Sequence, residues 1–327
     1  MKYQFVSHFA PYMTMLIEQK QTSGFVYESG SYFLKNFDRF CYEKHPAKTV
    51  LAKQLVMDWT LARPGETPAS HYGRLIPIRD LGRLMHVLGC HDVFIIPDGM
   101  TAKVTTHTHQ IHFFTKEELK AFFSALDNLQ PHGKAKARHL VLPVLFRLLY
   151  SCGLRTCEAR KLLVEDVDLT EGRLFIRESK GPKDRVVWIG KDMLGLCRKY
   201  HTQVSRVYSH RAFFFPSLPE RGLTAPSLSR CFSKIWEKAG LRAGNGVPAR
   251  AYDLRHHFAI ANLNRWIEFG EDINAKLPYL GRYMGHADIK STDYYLHLVP
   301  EFFSVFKEKT KESFNNLIPE VDYDSQG

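Results

Sequence analysis

The chain has 327 residues, 44% hydrophobic and 13% aromatic, which excludes a disordered chain and sets an expectation of two folded domains, each able to bury a core. Lysine and arginine number 45 against 34 aspartate and glutamate, a net charge of +11; residues 1–105 carry 12 basic and 9 acidic side chains and the remainder 33 and 25, a balance suited to a polyanionic partner such as nucleic acid. With no basic-then-apolar leader at the N-terminus and no run near the roughly 18 apolar residues that span a bilayer, no membrane partner is expected, and a cytoplasmic, nucleoid-associated location follows.

In chain order, the pattern from about Met13 to Leu88 is helical. Phe33, Phe37 and Phe40 recur at three to four residues, and Val50, Leu51, Leu55, Met57 and Leu61 line another face. Arg63-Pro64-Gly65-Glu66-Thr67-Pro68 breaks the pattern, and a further helix runs from about Ala69 to Leu88. Periodicity then fades through Pro97-Asp98-Gly99 into a polar stretch, so residues 1–104 read as a small all-helical domain and 105–112 as a linker. His107, His109 and His112 fall in that stretch without a cysteine or carboxylate at ligand spacing, which favours a solvated linker over a metal site. The six cysteines, Cys41, Cys90, Cys152, Cys157, Cys197 and Cys231, include no CxxC pair; reduced, mostly buried thiols are expected, and no metal.

Thr115-Lys116-Glu117-Glu118 opens a second domain, 113–327, with an N-cap and an acidic first turn ahead of Leu119, Phe122, Phe123 and Leu126. His139 to Tyr150 is a strongly apolar helix that Gly153 terminates. Arg173–Glu178 and Arg185–Ile189 read as two short strands joined by a basic turn. Helical patterns resume at Lys191–Val207, Ser227–Ala239 and Leu254–Phe269, and past Thr292. The fold class expected is mainly α with a small β-sheet: a helical N-terminal domain followed by an α+β domain.

Transfer of a phosphodiester to a side-chain hydroxyl requires guanidinium groups on the non-bridging oxygens, a proton donor for the leaving hydroxyl, and a nucleophile held in line. The second domain supplies candidates for each, in order. Arg155 follows a helix break, with Glu158 three residues on and able to brace it; Lys180 sits on the hairpin tip; Arg255 lies at a helix start; His286, then Thr292, Tyr295 and His297, close the set.

These residues fall in four separated motifs, Gly153-Leu154-Arg155-Thr156-Cys157-Glu158, Lys180-Gly181-Pro182-Lys183-Asp184-Arg185, Leu254-Arg255-His256-His257-Phe258-Ala259, and Met284-Gly285-His286 with Tyr295 nine residues after the histidine. In that order over about 145 residues they resemble the phage integrase, or tyrosine recombinase, family. The resemblance implies an N-terminal core-binding (SAM-like) domain, a tyrosine recombinase catalytic domain and no cofactor. It also implies that Arg155 and Arg255 clamp the scissile phosphate, Lys180 protonates the leaving 5′ hydroxyl, His286 hydrogen-bonds a phosphate oxygen, and Tyr295 forms a 3′ phosphotyrosine. Tyr252 stands where the family has its first histidine. A tyrosine can hold a phosphate oxygen there but is a poor base, its reference pKa being about 10. His256 fills a position that is structural in the family, and Tyr294, turned about 100° from Tyr295 on a helix, is expected to pack.

The same resemblance implies a partner, double-stranded DNA with paired inverted half-sites, held by two domains in a homotetramer, a dimer per site. Accessory recombinases or directionality factors are further partners it admits. Lys35, Arg39, Lys44, Lys48, Lys53 and Lys183 are the candidate DNA contacts. About twenty residues precede the first shared element, too few for an additional arm-site domain. After Pro300, Phe302, Phe303 and Phe306 recur at helical spacing, followed by Phe314 and Leu317, a tail that the resemblance assigns to exchange between protomers. A type IB-like topoisomerase and a DNA-binding relative that has lost the reaction are the competing readings. The helical N-terminal half and the tail weigh against the first, the complete residue set against the second.

Overall fold

The computed structural model describes residues 4–100, 110–133, 135–177, 184–241, 247–286, 288 and 290–296. The chain divides into two compact units, Met1–His109 and Gln110–Gly327. Among the described residues no helix is long and apolar enough to cross a membrane.

The first unit is built from four helices, α1 (Ala10–Thr22), α2 (Glu28–Lys44), α3 (Lys53–Thr60) and α4 (Pro68–Val87). Each presents apolar residues at three- and four-residue steps to one core: Met13 and Leu16, Leu34 and Phe37, Leu55 and Trp59, Leu75 and Ile78. Thr67 caps α4 by accepting from the Ser70 amide at 3.2 Å, and Pro68 follows at the first turn, where a missing N–H costs nothing. The Arg63–Pro68 break is held by a buried charge, for Arg74 of α4 bonds both carboxylate oxygens of Glu66 and the carbonyls of Trp59 and Leu61. Two expected core residues lie outside the core: Val50 and Leu61 flank α3 rather than lie in it, and both are exposed.

In the second unit, α5 (Lys116–Asp127) starts on a capping box in which Thr115 and Glu118 bond each other's backbone amides, and α6 (Arg138–Cys152) is the central, almost wholly buried helix. After the short α7 (Thr156–Lys161) come β1 (Val167–Asp168), β2 (Arg173–Ile176) and β3 (Arg185–Trp188), an antiparallel sheet in that order, with Phe175 opposite Val186. Leu174, Ile176 and Val187 face the core, while Phe175, Val186 and Trp188 are exposed, the alternation expected of a sheet covered on one side. Helix α8 (Lys191–Val207), a ribbon of β4 (Pro216–Leu218) and β5 (Arg221–Gly222), and α9 (Ala225–Lys238) complete the main core. A smaller core follows, where α10 (Asp253–Glu268), α11 (Ile273–Met284) and α12 (Lys290–Leu296) pack through Ala259, Leu263, Leu277, Leu280, Met284 and Tyr295.

Helices α7 and α11, strand β1 and the β4–β5 ribbon are elements that the pattern of the sequence does not predict. His112 is a correction of another kind. Read above as part of a solvated linker, it is buried, its Nε2 3.1 Å from the Glu118 carboxylate and its Nδ1 3.3 Å from the Val247 carbonyl, with its ring against Phe114 and Trp236. Four of the six cysteines are buried; Cys157 is exposed on α7.

Candidate active site

Helix α6 stops because Gly153 adopts the left-handed conformation (φ 58°), returning its amide to the Leu149 carbonyl at 3.1 Å. The chain then enters α7 through Arg155, whose amide donates to Glu158 Oε2 at 2.8 Å and whose Nη1 donates to Glu158 Oε1 at 2.7 Å. The Glu158 carboxylate is buried and receives a second guanidinium from β3, Arg185, at 2.9 and 2.8 Å. Burial raises the Glu158 pKa, but the hydrogen bonds and charges of Arg185 and Arg155 outweigh it and hold the group below the usual carboxylate range. Glu158 is therefore the anion that braces two arginines, as expected for Arg155 and not foreseen for Arg185.

A third guanidinium enters from α10. Arg255 is almost fully buried and donates to the Gly153 carbonyl at 2.6 Å and the Met284 carbonyl at 2.8 Å. Its Nε has no hydrogen-bond partner among the described residues. The C-terminal turn of α11 thus receives all three arginines on consecutive carbonyls: Tyr283 accepts from Arg185 Nε at 2.9 Å, Met284 from Arg255, and Gly285 from Arg155 Nη2. Cations at the negative end of a helix dipole are favourable. Gly285 closes that turn at φ 74°, and a Cβ there would meet the Arg185 guanidinium at 2.7 Å.

His286 follows at once, its Nδ1 2.6 Å from the hydroxyl of the fully buried Thr292 on α12. Burial, then the charges of Arg255 and Arg155, push its pKa down to about 4. One turn on, Tyr295 lies 3% exposed, its hydroxyl 3.0 Å from His256 Nδ1. Burial pushes the phenol up to about 12, with the Arg255 charge opposing. His256 is likewise pushed down to about 4, by burial first and then by Arg250 and Arg255 against Asp253.

The structure therefore brings together Arg155, Glu158, Arg255, His256, His286 and Tyr295 from four helices and their ends, α7, α10, α11 and α12. Tyr252, at the N-cap of α10 and 38% exposed, joins through its ring, edge-on to His256 at 5.1 Å. Tyr294 packs on the small core beside it. Lys180, Lys183, His297 and the apolar tail from Phe302 lie outside the described residues. In the first unit Lys35 is half-buried, while Arg39, Lys44, Lys48 and Lys53 are exposed. Arg185 closes the quoted hairpin motif but carries no expected role in the sequence, and Thr292, set among the closing candidates, carries no stated task there; its place one helical turn before Tyr295 is what brings it to His286. Chemically, three guanidiniums against one carboxylate form a cationic pocket suited to an oxyanion, beside a protonated tyrosine hydroxyl and two neutral imidazoles.

Comparison with known proteins adds the context. Residues 112–301 match the model of the phage integrase family. Among curated proteins, the chain is 35% identical over 185 residues to the integrase/recombinase-like protein y4rE of Sinorhizobium fredii, covering 56% of this chain and 58% of that one. It is 30% identical over 200 residues to tyrosine recombinase XerA of Thermococcus kodakarensis, covering 60% and 62%. The match thus spans about six tenths of these relatives' own lengths. Among solved structures, it resembles the Tn1549 transposon integrase in complex with transposon right end DNA (TM-score 0.60, 14% identity, 91% of this chain and 98% of that one). It also resembles the XerH site-specific recombinase bound to palindromic difH substrate (TM-score 0.59, 19% identity, 86% and 78%). At these identities the two structures establish the fold.

Proposed function

Because the chain belongs to the phage integrase family, we propose that it is a site-specific tyrosine recombinase that cuts and rejoins DNA through a 3′ phosphotyrosine bond at Tyr295. The observation that carries this reading is the convergence of Arg155, Arg255 and His286 on one pocket with the Tyr295 hydroxyl at its edge. Arg155 and Arg255 hold the non-bridging oxygens of the scissile phosphate; the Arg255 Nε is a donor in reserve for one of them. His286, oriented by Thr292, hydrogen-bonds the same phosphate. As the Tyr295 oxygen bonds phosphorus, the 5′ oxygen leaves and takes a proton from Lys180. The phosphodiester bond energy is kept in the enzyme linkage, so a 5′ hydroxyl from a second strand reverses the attack with no cofactor.

The substrate we propose is double-stranded DNA with paired inverted half-sites, filled by a dimer per site and a tetramer per synapse, with the segment from Phe302 bridging protomers and with accessory recombinases or directionality factors as further partners. A palindromic substrate in the XerH structure supports the symmetric site. A cytoplasmic, nucleoid-associated location follows from that substrate. Lys35, Arg39, Lys44, Lys48, Lys53 and Lys183 are proposed phosphate contacts. The test is a nicked suicide substrate, on which Tyr295→Phe should bind DNA normally and form no covalent adduct. Adducts that persist in Tyr295→Phe and vanish in Tyr294→Phe would overturn the assignment.

A further inference from the structure

We propose that His256 is the base that takes the Tyr295 proton as the strand is cut, a role that rests on the reading of Tyr295 as nucleophile. The contact is direct, His256 Nδ1 lying 3.0 Å from the Tyr295 hydroxyl, within the reach a general base needs. The other candidates near the nucleophile do not serve. His286 lies parallel to the Tyr295 ring at 6.1 Å between centroids, with its Nδ1 committed to Thr292. His257, adjacent in sequence, stacks on Tyr150 at 5.4 Å and packs on Phe114. Tyr252 offers a phenol, a weak proton acceptor near neutral pH, and its ring stands edge-on against His256. That edge contact on one side and the Tyr295 ring at 5.6 Å on the other hold the imidazole in place.

The charged groups facing His256 are Asp253, which favours the imidazolium, and Arg250 and Arg255, which oppose it together with burial. The ring is therefore neutral in the free protein, and the role assigns it the tautomer protonated at Nε2, which leaves a lone pair on Nδ1 facing the Tyr295 hydroxyl. Being a weak base against a phenol raised by burial, it takes the proton only when the reaction makes the phenol acidic. A bound phosphate supplies both changes: its negative charge offsets Arg255 beside the imidazole, and the forming O–P bond withdraws electrons from the phenol oxygen. The Tyr295 O–H bond breaks with the proton passing to Nδ1, the O–P bond forms, the P–O5′ bond breaks, and the 5′ oxygen takes a proton from Lys180. In rejoining, the imidazolium returns its proton to Tyr295 and the 5′ hydroxyl gives its own to Lys180.

The test is single-turnover cleavage on the suicide substrate as a function of pH with the full chain. His256→Gln and His256→Ala should both bind DNA, with Gln the less destabilising of the two, and should cleave about 10²–10⁴-fold more slowly, and the acid limb of the wild-type profile should shrink. Replacing Tyr295 by a fluorotyrosine of lower pKa should restore part of the loss in His256→Ala, which a merely structural role would not allow. Cleavage within a few-fold of wild type in both variants, or slow cleavage with the acid limb unchanged, would overturn the proposal. Should Tyr295→Phe still form adducts while the wild type does, the nucleophile reading fails instead.

Discussion

Two imidazoles held neutral by burial make this site sensitive to acid. For His256 and His286 the folded pKa lies near 4 against an ordinary value of 6.5. Between those values the unfolded chain binds more protons than the folded one, so their contribution is complete above pH 6.5 and is lost as pH falls toward 4. Glu158, also lowered, loses its contribution in the same direction at lower pH. We expect denaturation at pH 7 and pH 4.5 to show a loss on the order of 2 kcal/mol for His256 and a smaller one for His286, which is more open to solvent and therefore more screened, and His286→Gln to shrink the difference. An unchanged difference would contradict the burial argument. At this scale the sequence pointed to Arg155, Arg255, His286 and Tyr295 because each sits in a short motif that resembles the family's. It hid Arg185 and the His256–Tyr295 pair, since hydrogen bonds across 27 and 39 residues leave no local period.

The helices were legible wherever an apolar stripe ran unbroken, as in α6 and α8, and obscured where the stripe was interrupted. Helix α6 is apolar enough to carry its pattern across Pro143, whereas in α11 Lys276, Pro278, Gly281 and Arg282 interrupt a shorter stripe; α7 has six residues and β1 two, too few for a period to register. What ends an element here matters as much as what starts it. A Cβ on Gly153 would meet the Phe258 ring at 2.4 Å, whereas one on Gly240, also left-handed at φ 73°, would meet nothing within 4 Å. Gly240→Ala should therefore cost about 1–2 kcal/mol, the backbone penalty alone. Gly153→Ala should cost clearly more and also slow cleavage, because the carbonyl that holds Arg255 moves with it. Equal costs in urea unfolding would show that Phe258 yields without strain.

For the molecule as a whole, the division into two units was visible in the fading of periodicity after Pro97, but the edge was blurred at His112, whose burial depends on Trp236 and Val247 far along the chain. The net charge of +11 bears on binding at the same scale. If the exposed Lys44, Lys48 and Lys53 touch phosphates, replacing each by Ala should flatten the log–log salt dependence of DNA affinity by about 0.9 and weaken all sequences alike. An unchanged slope would place these lysines on a solvated face. One feature of the second unit bears on how such a protein can be rebuilt. The three acceptors at the end of α11, the carbonyls of Tyr283, Met284 and Gly285, belong to the main chain, and no point substitution deletes a carbonyl. The exposed side chains of that helix, such as Tyr279, can therefore diverge freely while the arginines keep their anchors. An insertion or deletion in the same turn would displace all three at once, so the exposed positions of this helix tolerate changes of letter, Gly285 does not, and none of the stretch tolerates a change of length.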